Sequence, residues 1–330
     1  MKQPKQYVYK SRRKKGGLFL KGCFYGIIIA AVIMVIAINA LEAIFIRVDA
    51  SNLLNSKNSL PVGLQEENLP AALKRLNSRN AVLMELNSNR EVIFDLSGNS
   101  RIYPASLTKI MTAIIVIENN QDYNSLLTLS QQPYDQAITQ GLATAGFVPG
   151  EIASVKDLLY GMMLPSGAEC AIGLAEFTAG SEGEFVGLMN QKAIELGLDN
   201  TKFTNAAGQH DPGQYTTAYD MAVLLDYALK NEMFYEIFTS PSYYVGSTNK
   251  HPDGMAFHSS MFSKAKEWYS GFTLLGGKTG YTSEAGQCLA SLAGIGGGEY
   301  ILVTAGAKVI SNNFESKHVE DAVKVFSALE

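Results

Sequence analysis

The sequence predicts an α/β domain in which an antiparallel sheet is assembled from both chain ends and a helical subdomain is inserted between them. Three observations carry this expectation. Strand-like apolar runs occupy residues 81–96, similar runs return at 272–305, and helical patterns dominate between them. The body spans about 250 residues, enough for one large domain or a domain with an inserted subdomain. No internal repeat or low-complexity tract interrupts it.

The elements follow in order. Ala81-Val-Leu-Met-Glu-Leu and Glu91-Val-Ile-Phe-Asp-Leu flank Asn-Ser-Asn-Arg, a strand, turn and strand. Tyr103-Pro-Ala leads into a helix that opens at Ser106 and runs to about Glu118. Ser154 is placed to cap a helix over Val155–Leu164. Helices are expected over 168–179, 184–196 and 217–230, the second stopped by Gly197. Strands resume at 272–275, 287–293 and 300–305, and an amphipathic helix over 314–329 closes the chain.

The two ends differ in charge. Eight of the 27 Lys and Arg residues, but only one of the 31 Asp and Glu residues, lie within the first 46 positions. The overall charge of −4 therefore hides a basic head and an acidic body. An acidic body argues against nucleic acid as a partner, because phosphate binding needs a basic face.

Within the head, Phe24–Leu41 is uncharged and almost wholly apolar. Its length is near the lower limit for a spanning helix, and the basic flank stays in the cytoplasm. Residues 1–23 are accordingly expected to form a basic cytoplasmic tail, 24–46 a transmembrane signal anchor, 47–78 a polar stalk and 79–330 the folded domain. The other outcome is a cleaved signal peptide with Ala40 at the cut. The anchor is preferred because the run exceeds a usual signal-peptide core and Ala-x-Ala is not cleanly formed. A lipoprotein signal at Cys23 fits poorly, since Lys21 stands where a small residue belongs. Cys170 and Cys288 fall in the exported part, either as a pair or as two buried thiols.

Two short motifs carry the chemistry. Ser106-Leu-Thr-Lys109 puts a hydroxyl and an amine at i and i+3, on one side of a helix. A serine hydroxyl is a weak nucleophile until a base takes its proton. A lysine serves as that base only when its pKa falls, through burial or a neighbouring cation. Lys278-Thr279-Gly280, in Gly276–Tyr281, supplies such a cation on an expected edge strand, where it would also attract a substrate carboxylate. The flanking glycines let another backbone approach. Neither motif is specific alone, but the ordered pair is.

From about Asn80 to Lys308 the chain resembles the D-alanyl-D-alanine carboxypeptidases, the low-molecular-weight penicillin-binding proteins. The matching text is Tyr103-Pro-Ala-Ser-Leu-Thr-Lys-Ile-Met-Thr-Ala, Val155-Lys-Asp-Leu-Leu-Tyr-Gly-Met-Met-Leu-Pro-Ser-Gly, Leu196-Gly-Leu-Asp-Asn-Thr-Lys-Phe-Thr-Asn-Ala-Ala-Gly and Gly276-Gly-Lys-Thr-Gly-Tyr-Thr-Ser-Glu-Ala-Gly. The resemblance implies a β-lactamase/transpeptidase-like fold and a catalytic domain over 79–330. It implies Ser106 as nucleophile forming an acyl-enzyme, Lys109 as general base and Ser166 as proton relay. Lys278, Thr279, Gly280 and Tyr281 would bind substrate, with the backbone N–H groups of Ser106 and Tyr281 as oxyanion hole. The implied partners are peptidoglycan stem peptides ending in D-Ala-D-Ala, with β-lactams as inhibitors and no cofactor or metal. The catalytic domain would face the cell wall from a single-pass anchor, in a Gram-positive-type envelope.

The chain departs from the family in its middle motif. The family has Ser-x-Asn, and this chain has Ser166-Gly167-Ala168. Glu169 follows directly and is the group placed to substitute in part. Ser97-Gly-Asn99 and Ser247-Thr-Asn249 suit neither the motif's order nor its helical context. A further departure is that the chain stops soon after the last expected helix, where many members continue. Ala168 keeps open a catalytically impaired penicillin- or peptidoglycan-binding regulatory protein. A β-lactamase would need Glu195-Leu-Gly-Leu198-Asp199 to activate water, but this stretch is read as a helix end. A zinc peptidase finds no H-E-x-x-H among His210, His251, His258 and His318. His210 is expected near the site mouth, and Glu151, Asn205 and Gly208 are assigned to a helix start and a turn.

Overall fold

The computed structural model describes residues 73–86, 90–265, 269–309 and 316–329. These fall in one compact unit, Leu60–Glu330. The expected tail and anchor, and nearly all of the stalk, lie outside the described residues. Among the described residues no helix is long and apolar enough to cross a membrane.

The chain begins with β1 (Asn80–Glu85) and β2 (Val92–Leu96). A 3-10 turn, Ala105–Leu107, leads into α1 (Thr108–Asn119). Then come β3 (Leu126–Thr128), α2 (Gln131–Thr139) and β4 (Ile152–Ser154). Helices α3 (Val155–Met163), α4 (Ala168–Ala179), α5 (Glu182–Glu195), α6 (Ala218–Leu229) and α7 (Glu232–Thr239) follow. The hairpin β5 (Ser242–Val245) and β6 (Met255–His258) precedes β7 (Phe272–Thr282), β8 (Gly286–Ile295) and β9 (Gly298–Ala307). Helix α8 (Lys317–Ser327) ends the described chain.

The main sheet has the order β2-β1-β9-β8-β7, with every neighbour antiparallel. The first hairpin thus pairs with the last strand, which is the closure by both ends that the sequence predicts. The interior strand β8 is covered on both faces, so its text (Cys288-Leu-Ala-Ser-Leu-Ala) is apolar or small throughout rather than alternating. Cys288, Ala290, Leu292 and Val303 face the helical subdomain. Leu289, Ala293 and Leu302 pack with Val319, Ala322, Val325 and Phe326 of α8. Strand period 2 carries this division to the edge strand β7. Lys278 lies opposite Ala290 on the helical side, and Thr279 lies opposite Leu289 on the α8 side.

Helix α1 is buried from Thr108 to Ile117, which explains its apolar residues on all sides. Ser154 caps α3 in a reciprocal capping box with Asp157. One expectation changes. Ser106 lies in the 3-10 turn, not in the first α-helical turn, because Ala105 takes φ 47° and regular helix starts only at Thr108. Helices α2 and α7 and the strands β3 to β6 are absent from the sequence reading. The strands are three or four residues long and α2 buries only Pro133 and Ala137, so these leave no clear periodic signal; α7 buries Phe234, Ile237 and Phe238 at helical spacing but is only eight residues long. Cys170 and Cys288 are both free and buried.

A buried carboxylate ties the last helix to the segment that enters the sheet. Fully buried Asp321 of α8 accepts hydrogen bonds from Asn77 N (2.9 Å), Asn77 Nδ2 (2.8 Å) and Ser78 N (2.7 Å), just before β1. Asp321→Ala leaves three donors without this partner. It is expected to lower the unfolding free energy by about 3 kcal/mol, measured by urea denaturation.

Candidate active site

The site forms where the 3-10 turn before α1, the loop before α4 and the edge strand β7 meet. Lys109 is 2% exposed. Its Nζ donates to Ser106 Oγ at 3.2 Å and to Ala207 O at 2.5 Å. Burial pushes the amine down to about 8, and the Glu169 carboxylate opposes that fall. One helical turn on, Thr112 Oγ1 donates to Ala206 O at 2.7 Å. The buried helix is therefore pinned to the 205–208 loop on both sides of Lys109.

That loop also supports the nucleophile turn. Asn205 Oδ1 accepts from Gly208 N (2.7 Å) and Gln209 N (3.0 Å), the turn expected from sequence. Gly208 sits at φ +80°, and a Cβ there would lie 2.0 Å from Ala105 O. Only glycine lets the loop press so closely on the residue before Ser106.

Lys278 is fully buried behind Ser166. Its Nζ donates to Ser166 Oγ (2.8 Å) and to Thr279 O (2.9 Å). Burial, then the Lys109 and Lys264 cations, push Lys278 well below the usual lysine range. The sequence reading has Lys278 depressing Lys109. In the structure the mutual repulsion bears on Lys278, while burial governs Lys109. Ser166 has φ 74°, so Ala105 and Ser166, beside or within the two hydroxyl motifs, both hold a conformation that non-glycine residues rarely adopt. Gly280 brings the β7 backbone against the nucleophile turn, where a Cβ would stand 3.1 Å from Ser106 N.

These groups open on a cleft of about 350 Å³, lined by Ser106, Lys109, Ser166, Thr279, Gly280 and Tyr281. All seven residues singled out from sequence are thus brought together, Lys278 acting from behind the wall. The cleft also curves over the edge of β7 to the α8 side, where Lys264, Gln287 and His318 line it. The sequence reading misses this half. Gln287 lies opposite Tyr281 in the ladder, a relation visible only once the register is known. Ser260 Oγ and Thr279 Oγ1 share a 2.6 Å hydrogen bond at the same wall.

The remaining candidates separate cleanly. His318 is buried, with Nδ1 2.8 Å from Gln287 Oε1, and burial lowers it to about 3, so it is neutral. His210 packs edge-on against Tyr103 at 4.7 Å, beside Ala105 and Gly208. His251 bonds Glu151, and His258 is exposed on β6. Glu151 is no helix-start residue. It is fully buried and accepts from Val148 N (3.0 Å) and Thr248 Oγ1 (2.6 Å), joining two loops. Glu195 is exposed and paired with Lys192 at 3.0 Å, away from the cleft. Ala168 is fully buried at the start of α4, where its N–H donates to Ala143 O at 2.8 Å. It does not line the cleft.

Residues 66–309 match the family model for D-alanyl-D-alanine carboxypeptidase. The chain belongs to the D-alanyl-D-alanine carboxypeptidase family. Among curated members, DacF of Bacillus subtilis is 37% identical over 210 residues, covering 63% of this chain and 52% of that protein. DacC of Escherichia coli is 33% identical over 226 residues, covering 64% and 52%. The chain thus spans about half the length of these curated relatives. The Streptomyces K15 DD-transpeptidase structure superposes with a TM-score of 0.69 at 26% identity, covering 77% of this chain and 97% of that one. The family fold is therefore the penicillin-binding fold expected from sequence.

The contact at Gly208 yields a direct test. Gly208→Ala forces the loop away from Ala105 and displaces Ser106. Covalent labelling by a fluorescent penicillin, proposed below to fall on Ser106, is expected to slow by roughly 100-fold, with the fold retained by circular dichroism.

Proposed function

We propose that the protein is a serine D-alanyl-D-alanine carboxypeptidase that trims the terminal D-alanine from peptidoglycan stem peptides. The observation that carries this reading is the buried amine of Lys109, 3.2 Å from Ser106 Oγ and shifted down to about 8. Such an amine is neutral in a useful fraction near neutral pH and takes the serine proton without a histidine.

Ser106 Oγ attacks the carbonyl carbon of the penultimate D-alanine, and its proton passes to Lys109. The resulting oxyanion is held by the backbone N–H groups of Ser106 and Tyr281. The C–N bond then breaks as Lys109 gives up that proton and the leaving amine receives it through Ser166, whose hydroxyl is oriented by Lys278, so that Lys109 is neutral again. D-Alanine departs, leaving an ester on Ser106. Water attacks that ester as Lys109 takes its proton, Lys109 passes the proton to Ser106 Oγ as the ester C–O bond breaks, and the shortened peptide is released with Ser106 restored. The free carboxylate of the substrate faces Thr279 and Lys264, on the α8-side wall of the cleft. A β-lactam enters the same path and stops at the acyl-enzyme.

In this reading residues 24–46 anchor the chain in the membrane, 47–78 form the stalk and 79–330 work on the cell-wall side. The support is the apolar run after a basic flank. A second reading, a catalytically impaired penicillin-binding regulator, is favoured by Ala168 alone.

Release of D-alanine from a synthetic peptide ending in D-Ala-D-Ala decides between the two. Turnover by the wild type, lost in Ser106→Ala, supports the carboxypeptidase. Penicillin labelling without turnover supports the regulator. The base also predicts a pH dependence. Lys109 must be neutral to accept the proton, so the acylation rate should rise as pH passes through about 8 and level off above it. A rate already flat from pH 6 upward would contradict Lys109 as the base.

A further inference from the structure

The segment between β6 and β7 carries two groups to the cleft, Ser260 and Lys264. It lies against the edge strand that holds Lys278 and Thr279. Met261 is fully buried there. A Cβ on Gly277 would stand 2.9 Å from Met261 Cγ, so the bare backbone of Gly277 lets the segment sit this close. Ser260 N donates to Leu164 O at 3.0 Å, two residues before Ser166. Next to it, Ser259 N donates to Pro241 O (2.9 Å), and Ser259 O accepts from Ser263 N (3.0 Å) and Ser263 Oγ (2.9 Å). Ser260 is thereby fixed between the middle motif and β7.

Its hydroxyl meets one partner. Ser260 Oγ and Thr279 Oγ1 are 2.6 Å apart, and among the described residues neither makes another side-chain hydrogen bond. A hydroxyl carries one proton and two lone pairs, and only one proton lies between two oxygens. If Thr279 donates to Ser260, its oxygen shows the cleft lone pairs alone, which repel an anion. If Ser260 donates to Thr279, the Thr279 proton is free to point into the cleft. The surroundings select between the two. Lys264 lines the same wall, and among the described residues no Asp or Glu lines the cleft. An anion bound there favours the second arrangement, a chain from Ser260 O–H to Thr279 O–H to anion in which each hydrogen bond polarises the next.

We propose that Ser260 is a positioning residue for the leaving D-alanine: its hydroxyl donates to Thr279 Oγ1 and so holds the Thr279 proton toward the terminal carboxylate of the substrate. It acts through Thr279, while Lys264, four residues on, brings a cation to the same wall. The inference rests on the carboxypeptidase reading proposed above, which sets that carboxylate against Thr279.

The test is D-alanine release from a peptide ending in D-Ala-D-Ala, on the full chain in detergent, for wild type, Ser260→Ala, Thr279→Val and the double variant. Ser260→Ala leaves the Thr279 hydroxyl free to rotate. Its kcat/KM should fall by about tenfold, with the loss carried by KM. In Thr279→Val no hydroxyl is left to orient, so adding Ser260→Ala should change kcat/KM by less than about twofold. Ser260→Cys, near-isosteric and a weaker donor, should fall between wild type and Ser260→Ala, and it reports even if Ser260→Ala fails to fold. Equal losses from Ser260→Ala in both backgrounds, or a lower melting temperature with kcat/KM unchanged, would overturn the proposal and leave Ser260 a structural contact. Absence of D-alanine release by the wild type would instead refute the carboxypeptidase reading, and the inference with it.

Discussion

A lysine amine held out of water against a serine hydroxyl is the constraint to which the other features of the site answer. Lys109 is buried because α1 runs through the centre of the helical subdomain, apolar on every side. Keeping an ammonium there is unfavourable, so the amine gives up its proton more readily than in water. Its remaining hydrogen-bonding capacity is met by Ala207 O, in a loop fixed by Asn205. The loop can approach because Gly208 has no side chain to collide with Ala105. The Ser106 turn, the loop and the central helix thus form one unit in which moving any part moves the Lys109 amine, the proposed proton acceptor.

The second lysine extends the same principle to the sheet. Lys278 emerges on the helical side of β7 and orients Ser166 from behind. Thr279, its neighbour, emerges on the α8 side, so adjacent residues of one strand serve opposite walls of the cleft. Two buried cations in one site repel, which favours a state with at least one neutral amine. Glu169 limits how far that depression goes for Lys109.

Much of this was legible in the residues. The apolar runs within 81–96 and the dense apolar text of 287–293 pointed to the sheet, because strands buried on both faces leave such runs. The spacing of Ser106 and Lys109 and the glycines around Lys278 pointed to groups that the structure brings to one cleft, because both motifs depend on local geometry. What was not legible depends on tertiary register. Gln287 and His318 reach the cleft only through the pairing of β8 with β7 and the packing of α8. Lys264 arrives from the segment before β7, which has no motif of its own. Ala168 is buried at the start of α4 and offers no polar side chain.

The account stands on the protonation state of one amine, and this can be observed without a substrate. In protein labelled with nitrogen-15 lysine, the Nζ resonance of Lys109, assigned by its loss in Lys109→Arg, can be followed by NMR across pH. The account predicts a midpoint near 8. A midpoint near the 10.5 of an unperturbed lysine would show that Lys109 is protonated at neutral pH and would contradict its role as the base for Ser106.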